Sequence, residues 1–124
     1  MSWPGVSLIV AYSHCIAHGY DLAHGLDQQK MAVDGGYWPL YRWDPRKLGS
    51  GESPLTLDSK EPNGHLYEFM KGEARFQMVE RADPERYRGL VEHAEANIRR
   101  RFAMLRRFAG LPDAPPPASK DAAQ

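Results

Sequence analysis

The residues most capable of chemistry lie together near the start of the chain, in the stretch AYSHCIAHGYDLAHG at positions 11–25. Cys15 is the only cysteine of the chain, and His14, His18 and His24 lie close to it in sequence. A thiol near imidazoles can act as a nucleophile, bind a metal or simply fill a core, so the residue types alone leave the role of Cys15 open.

Four interpretations of Cys15 follow from these residues. A lone cysteine is commonly a buried structural residue. Cys15 could form a nucleophilic pair with His14 or His18, although neighbours in sequence need not be neighbours in space. Cys15, His18 and His24 could bind zinc, but they lack the paired spacing of most zinc ligands. Cys15 could also be one ligand of a cluster completed outside this chain, because an iron–sulfur cluster needs several thiolates.

Two further groups of side chains could bind ligands. The arginines at 99–101, 106 and 107 could bind an anion. Positive side chains are also stabilising near the C-terminus of a helix, so we interpret these arginines as a solvated helix face or an inter-subunit contact. The aromatic cluster could stack on a flat ligand, but such residues more often supply packing area. Its members are Tyr37, Trp38, Tyr41 and Trp43.

The chain has 124 residues, which is long enough for at most one domain. Its composition argues against several classes of function. Lys plus Arg and Asp plus Glu are 16 each, so the basic surplus that usually accompanies nucleic-acid or membrane binding is absent. There is no apolar run long enough to span a bilayer and no typical signal peptide. A single cysteine suits a reducing compartment, and we expect a cytoplasmic protein.

The elements that must position Cys15 begin with the run VSLIVAY at positions 6–12. It is continuous, apolar and β-branched, which predicts a strand buried on both faces as in a parallel sheet. Such a strand needs sheet neighbours and covering helices, and little in the rest of the chain supplies them. This is the first indication that the chain is a piece of something larger.

The following segments alternate between short helices and loops. The residues LDQQKMAVDGG predict a short helix that ends at Gly35 and Gly36. YWPLYRWDP predicts an extended segment packed on a surface, because Pro39 is incompatible with a central strand. Residues 45–64 predict a long loop with turns, and LYEFMKGEARFQMVERA predicts one or two helices broken near Gly72.

The clearest element is a long helix that starts after Asp83, a good N-cap, with Pro84 at the first helical position. Gly110 and Pro112 should end it, and the Pro/Ala-rich tail 111–124 is expected to be disordered. The residues that keep the helical rhythm of one buried face are Tyr87, Leu90, Val91, Ala94, Ile98, Phe102, Leu105 and Ala109.

Several separate stretches together resemble a known family. PGVSLIVAYSHCIAHG, LDQQKMAVDGGYWPLYRWDPR, PLTLDSKEP and FMKGEARFQMV are similar in order and spacing to the C-terminal part of the pyruvate:ferredoxin (flavodoxin) oxidoreductases. The resemblance runs from about position 4 to about position 109, and so covers nearly everything except the tail.

The resemblance implies a large, dimeric, oxygen-sensitive enzyme. Such enzymes convert pyruvate and coenzyme A to acetyl-CoA and carbon dioxide, and pass electrons to ferredoxin or flavodoxin. They use thiamine diphosphate with magnesium, and [4Fe-4S] clusters. Cys15 matches the fourth thiolate ligand of the cluster nearest the thiamine, whose other three cysteines lie upstream in the family and are absent here. No catalytic or thiamine-binding residue carries over.

The resemblance also implies an architecture. We expect an α/β fragment: residues 1–45 as the end of a thiamine-diphosphate-binding domain, 46–110 as a loop-rich, mostly helical C-terminal segment, and 111–124 as a tail. The chain would be the end of a longer polypeptide and inactive alone. The alternatives are a stand-alone interaction module with a buried structural Cys15, and a small thiol or zinc enzyme.

Overall fold

The computed structural model describes residues 4–112, which combine helices with a small antiparallel sheet. The regular elements are α1 (Gly25–Asp34), β1 (Tyr41–Trp43), β2 (Leu55–Leu57), α2 (Leu66–Lys71), α3 (Ala74–Ala82) and α4 (Pro84–Phe108). Short 3-10 helices cover Ile16–His18, Leu22–His24 and Pro45–Gly49. This mixture agrees with the predicted α/β class, while the tail expected to be disordered falls, from residue 113 on, outside the described residues.

The long helix α4 forms where its sequence signals predict it. The Asp83 side chain accepts a hydrogen bond from the Arg86 backbone N–H at 3.0 Å, and Pro84 occupies the first turn. The helix ends at Phe108, and Gly110 follows with a left-handed φ of 67°. The predicted apolar face is buried at Tyr87, Ile98, Phe102 and Leu105. Leu90 departs from it, being 45% exposed.

The hydrophobic core lies where α1, α2 and α4 meet. Its buried members are Ala32, Leu66, Phe69, Met70, Tyr87 and Ile98. Partly buried side chains packed against them are Tyr12, Tyr37, Phe76, Val91 and Ala94. Tyr12 is three positions before Cys15, so the chain is anchored to this core just before the histidine-rich loop begins.

The predicted break near Gly72 separates α2 from α3 and brings α1 close to the junction. Gly72 caps the C-terminus of α2, and Glu73 precedes the first residue of α3. A Cβ added at Gly72 would lie 2.6 Å from Oε1 of Gln28 in α1. A side chain at position 72 would therefore have to displace the end of the Gln28 side chain, which reaches the α2–α3 junction.

The predicted strand at positions 6–12 does not form within the described residues. No strand is assigned to residues 6–12, and Val6 and Ile9 are 96% and 81% exposed. A strand buried on both faces needs hydrogen-bonding neighbours on each side and layers above and below it. The described residues pair no strand with this segment, and Val6, Leu8, Ile9 and Val10 stay exposed, whereas Tyr12 packs against the core.

The aromatic segment is extended as predicted, but it also forms a hairpin that sequence reasoning missed. β1 pairs with β2 in antiparallel register, with Arg42 opposite Thr56, and β2 lies inside the predicted loop 45–64. Trp38 is half-buried and stacks on Tyr12 with ring centroids 5.3 Å apart. Trp43 is 55% exposed. The predicted packing role is therefore confirmed for the first half of this segment only.

The basic end of α4 contributes a structural contact. Arg101 donates to the backbone carbonyls of Gly36 and Tyr37 at 2.6 and 2.9 Å, and so fastens α4 to the link between α1 and β1. Arg99 lies 3.7 Å from Glu95 in an exposed i, i+4 pair. Within residues 4–112, no helix has the combined length and apolar character that crossing a bilayer requires.

Candidate functional site

Cys15 lies on an exposed turn at the edge of the molecule. The Cys15 carbonyl accepts the His18 N–H at 2.9 Å, which opens the 3-10 helix Ile16–His18. Cys15 is in no disulfide and is exposed. The alternative of a buried structural cysteine therefore does not describe this chain, and the thiol is accessible to a ligand.

His14, the residue before Cys15, points the opposite way into the protein. Its Nε2 lies 2.8 Å from Oε1 of Glu73, and both side chains are fully buried. The rings of Tyr12 and Tyr20 contact its imidazole edge-on, with centroids 5.2 and 5.1 Å away. Because a carboxylate only accepts hydrogen bonds, Nε2 must carry the proton of this contact. The backbone therefore turns a histidine inward and the adjacent cysteine outward.

The Glu73 carboxylate is the centre of a buried hydrogen-bond network. Gln28 Nε2 donates to Oε1 at 3.1 Å and also to the Phe69 carbonyl at 2.9 Å. Arg75 Nε donates to Oε2 at 2.5 Å. A buried carboxylate is tolerated only when it is paired and hydrogen-bonded, and these partners meet that requirement.

Arg75 extends the network to the segment that leads into the loop. Its Nη2 donates to the Tyr12 hydroxyl at 3.2 Å, and its guanidinium lies over the Phe76 ring at 4.4 Å. Burial would lower the pKa of Arg75, but the hydrogen bond and charge of Glu73 outweigh it and raise that pKa. Burial is also the main cause of a raised pKa for Tyr12. Arg75 is therefore a permanent cation and Tyr12 a neutral donor or acceptor at neutral pH.

The structure groups different residues from those the zinc alternative proposed. Ligand atoms of His14, His18 and Glu73 lie within 4.8 Å of one another, a spacing that could accommodate a divalent cation. Cys15 is not part of this group, and His24 is exposed near Asp27. Because Gln28 and Arg75 already donate to Glu73, and a guanidinium opposes a second cation, we interpret the group as a hydrogen-bond network.

The thiol–imidazole pair is not formed. His14 is engaged with Glu73, and His18 Nδ1 faces the backbone N–H of Cys15 at 3.5 Å, not its sulfur. Neither ring is placed to accept the thiol proton, as a nucleophilic cysteine would require. The geometry therefore does not support a nucleophilic thiol–imidazole pair at Cys15.

Sequence reasoning missed the buried network behind the loop, namely Gln28, Glu73 and Arg75. A signal was present: Glu73 lies between Phe69 of α2 and Phe76 of α3, both of which pack in the core region, and Arg75 follows two residues later. A carboxylate placed within an apolar rhythm and close to an arginine indicates a buried ion pair. Its partners His14 and Gln28 lie 59 and 45 positions away, so only the fold reveals them.

Comparison with known proteins identifies extensive sequence similarity. No family model matches the chain. A pyruvate-flavodoxin oxidoreductase of Rhodospirillum rubrum is 56% identical over 113 residues, which are 91% of this chain and 9% of that protein. A pyruvate-flavodoxin oxidoreductase of Trichormus variabilis is 43% identical over 87% of this chain, again 9% of the relative. A pyruvate:ferredoxin oxidoreductase of Moorella thermoacetica is 36% identical over 86% of this chain.

The aligned region covers most of this chain but only a small part of each relative. Close to nine-tenths of this chain aligns, whereas the chain spans only 9% of the length of these relatives. The chain thus corresponds to one segment of much larger proteins.

Proposed function

This chain is homologous to one segment of the pyruvate-flavodoxin oxidoreductases, and on that premise we propose that it works as part of such an enzyme. The complete enzyme would decarboxylate pyruvate oxidatively, with coenzyme A as acetyl acceptor and flavodoxin or ferredoxin as electron acceptor. The chain itself would be structural and ligand-supplying, inactive alone, and would act within a cytoplasmic homodimer. The single observation that carries this proposal is the alignment of 91% of the chain with the Rhodospirillum rubrum protein.

Cys15 is the residue through which the chain would contribute to the chemistry, as one thiolate ligand of a [4Fe-4S] cluster. Its thiol is exposed, free and presented by a short turn, as a ligand to a group bound at the surface of this segment must be. The chain has a single cysteine, so the remaining thiolates would come from elsewhere in the enzyme. When bound, the cluster would supply one-electron transfer, and ligation would hold Cys15 as a thiolate.

The exposed apolar segment 6–10 would be the contact with the rest of the enzyme. Val6, Leu8, Ile9 and Val10 are 69–96% exposed, and their β-branched and apolar character suits a strand covered on both faces. We propose that it completes a sheet of a thiamine-diphosphate-binding domain to which residues 1–45 belong. Thiamine diphosphate and magnesium would bind outside this chain. Residues 46–110 would form the helical C-terminal segment.

A substitution of Cys15 in the complete, anaerobically purified enzyme tests the proposal. Cys15→Ala should remove the electron paramagnetic resonance signal of one cluster and the iron that accompanies it. It should also slow reduction of the acceptor by at least roughly 10-fold. Ala17→Ser is the matched control, because it changes an exposed residue of the same turn without touching the sulfur. Unchanged iron content and spectra in Cys15→Ala would contradict the ligand role and favour an interaction module.

A further inference from the structure

The Cys15 turn is attached to the start of α3 on both sides of the cysteine. On one side, the His14 side chain contacts Glu73 at 2.8 Å. On the other side, the Gly19 carbonyl accepts the Ala74 backbone N–H, also at 2.8 Å. Glu73 and Ala74 are adjacent, so two consecutive residues hold both ends of the turn that presents the thiol.

The attachment at Gly19 leaves no free space. Gly19 has a left-handed φ of 67°, and a Cβ added there would lie 2.5 Å from the Cβ of Ala74. Backbone and helix therefore approach as closely as a glycine permits. The turn is therefore packed tightly against the start of α3 at this end, and the His14–Glu73 contact attaches it at the other end.

The Glu73 carboxylate also connects the turn to the rest of the fold. It accepts hydrogen bonds from Gln28 of α1 and from Arg75 of α3, besides the contact with His14. A fully buried carboxylate that loses a partner is left with an uncompensated lone pair, which is costly in a low-dielectric site. The partners are therefore held together as a unit, and the orientation of His14 follows the packing of two helices.

We propose that Glu73 is a positioning residue for the Cys15 thiolate and acts through His14. This inference rests on the proposed function, in which Cys15 ligates a cluster. A ligand held by a preorganised shell loses less conformational freedom on binding, and removing such a shell commonly lowers metal affinity or activity by roughly 10–100-fold. Glu73 touches neither the sulfur nor any reacting group, so its effect should be on cluster retention and spectrum.

The test uses the complete enzyme, purified without oxygen, and compares variants at both ends of the contact. Glu73→Gln removes the charge that holds His14 and Arg75. His14→Phe keeps a ring but removes the donor, whereas His14→Gln places an amide N–H close to the position of the imidazole Nε2. Iron release to bathophenanthroline disulfonate should be about 10-fold faster in Glu73→Gln and His14→Phe. The cluster spectrum should broaden or shift in both, and His14→Gln should restore both properties most of the way.

Two controls separate positioning from general destabilisation. Phe102→Leu opens a cavity in the buried face of α4 without changing a residue of the network, and should lower the unfolding temperature while leaving iron release and spectrum unchanged. If Glu73→Gln does not accumulate as folded enzyme, the comparison of His14→Phe with His14→Gln decides. Equal iron release in those two variants would overturn the positioning role.

The outcome for Cys15→Ala distinguishes failure of this inference from failure of the proposed function. If Cys15→Ala retains every cluster, the ligand role itself is wrong. If Cys15→Ala loses a cluster while Glu73→Gln and His14→Phe keep normal iron release and spectra, the ligand role stands. Glu73 is then a structural ion-pair residue without influence on the thiolate.

Discussion

At the scale of single residues, neighbouring side chains of the Cys15 turn point in opposite directions. His14 points inward to Glu73 and is fully buried, while the next residue, Cys15, is exposed. Gly19 then returns the chain to α3 in a backbone conformation that L-residues rarely adopt. A free thiol is thereby presented on a turn whose flanking residues are fastened to the interior.

A substitution at Gly19 should measure how much this fastening depends on close approach. In Gly19→Ala, the new side chain would have an unfavourable left-handed φ and its Cβ would overlap the Cβ of Ala74. The substitution should therefore lower the free energy of unfolding by more than the roughly 1 kcal/mol that such a φ costs alone. Gly64→Ala is the matched control, since Gly64 has φ 78° and nothing within 4 Å of an added Cβ. Thermal unfolding of both variants of the complete enzyme checks this, and equal losses would contradict a role for the Gly19–Ala74 approach.

At the scale of elements, α4 is the support on which the shorter elements assemble. Its apolar face contributes Tyr87 and Ile98 to the core, and Arg101 binds the carbonyls that follow α1. The short helices α2 and α3 are too brief to be stable on their own, because helix nucleation is costly and few hydrogen bonds follow it. They are instead held by packing, and their junction places Glu73 beneath the Cys15 turn.

The N-cap of α4 should matter measurably even outside the fold. In a peptide spanning residues 80–110, Asp83→Ala removes the acceptor for the Arg86 N–H and should cost about 1 kcal/mol of helix stability. Asp83→Asn retains a side-chain oxygen and should lose much less. Circular dichroism of the three peptides checks this, and equal helix content in all of them would show that the cap does not contribute.

At the scale of the whole molecule, residues 6–10 form an apolar surface that no other described residues cover. Leu8 and Ile9 are 86% and 81% exposed, and neighbouring positions share this exposure. Contiguous exposed apolar residues commonly indicate an interaction surface. Here the segment leads directly to Tyr12, which packs against the core, so a partner at this surface would adjoin the Cys15 turn.

The same substitution in this segment should have opposite effects in the two forms of the protein. The isolated chain should be poorly soluble or partly molten, with strong dye binding and weak near-ultraviolet circular dichroism, and Ile9→Ser should improve its solubility. In the complete enzyme Ile9 would be buried, and Ile9→Ser should cost roughly 2–5 kcal/mol, as large-to-small core substitutions do. A sharp cooperative melt of the isolated chain would contradict the view that it lacks its partner surface.

The sequence by itself determined the elements whose signals are local. The cap at Asp83, the break at Gly72 and the end of α1 at Gly35 all follow from neighbouring residues, and each was predicted at the correct place. The resemblance to the oxidoreductases also came from the residues alone, because it depends on the order of short motifs. Cys15 was singled out for the same reason, and its ligand role stays a prediction.

Only the tertiary structure decided what depends on residues far apart in the chain. The pairing of β1 with β2, the burial of Glu73 and its contact with His14 could not be deduced from spacing, because each requires the chain to fold back across an intervening loop or helix. Residues 6–12 show that a local pattern can also predict an element that the described structure does not form. Their pattern predicts a buried strand, but a strand is buried by its neighbours, and the described residues place none beside it.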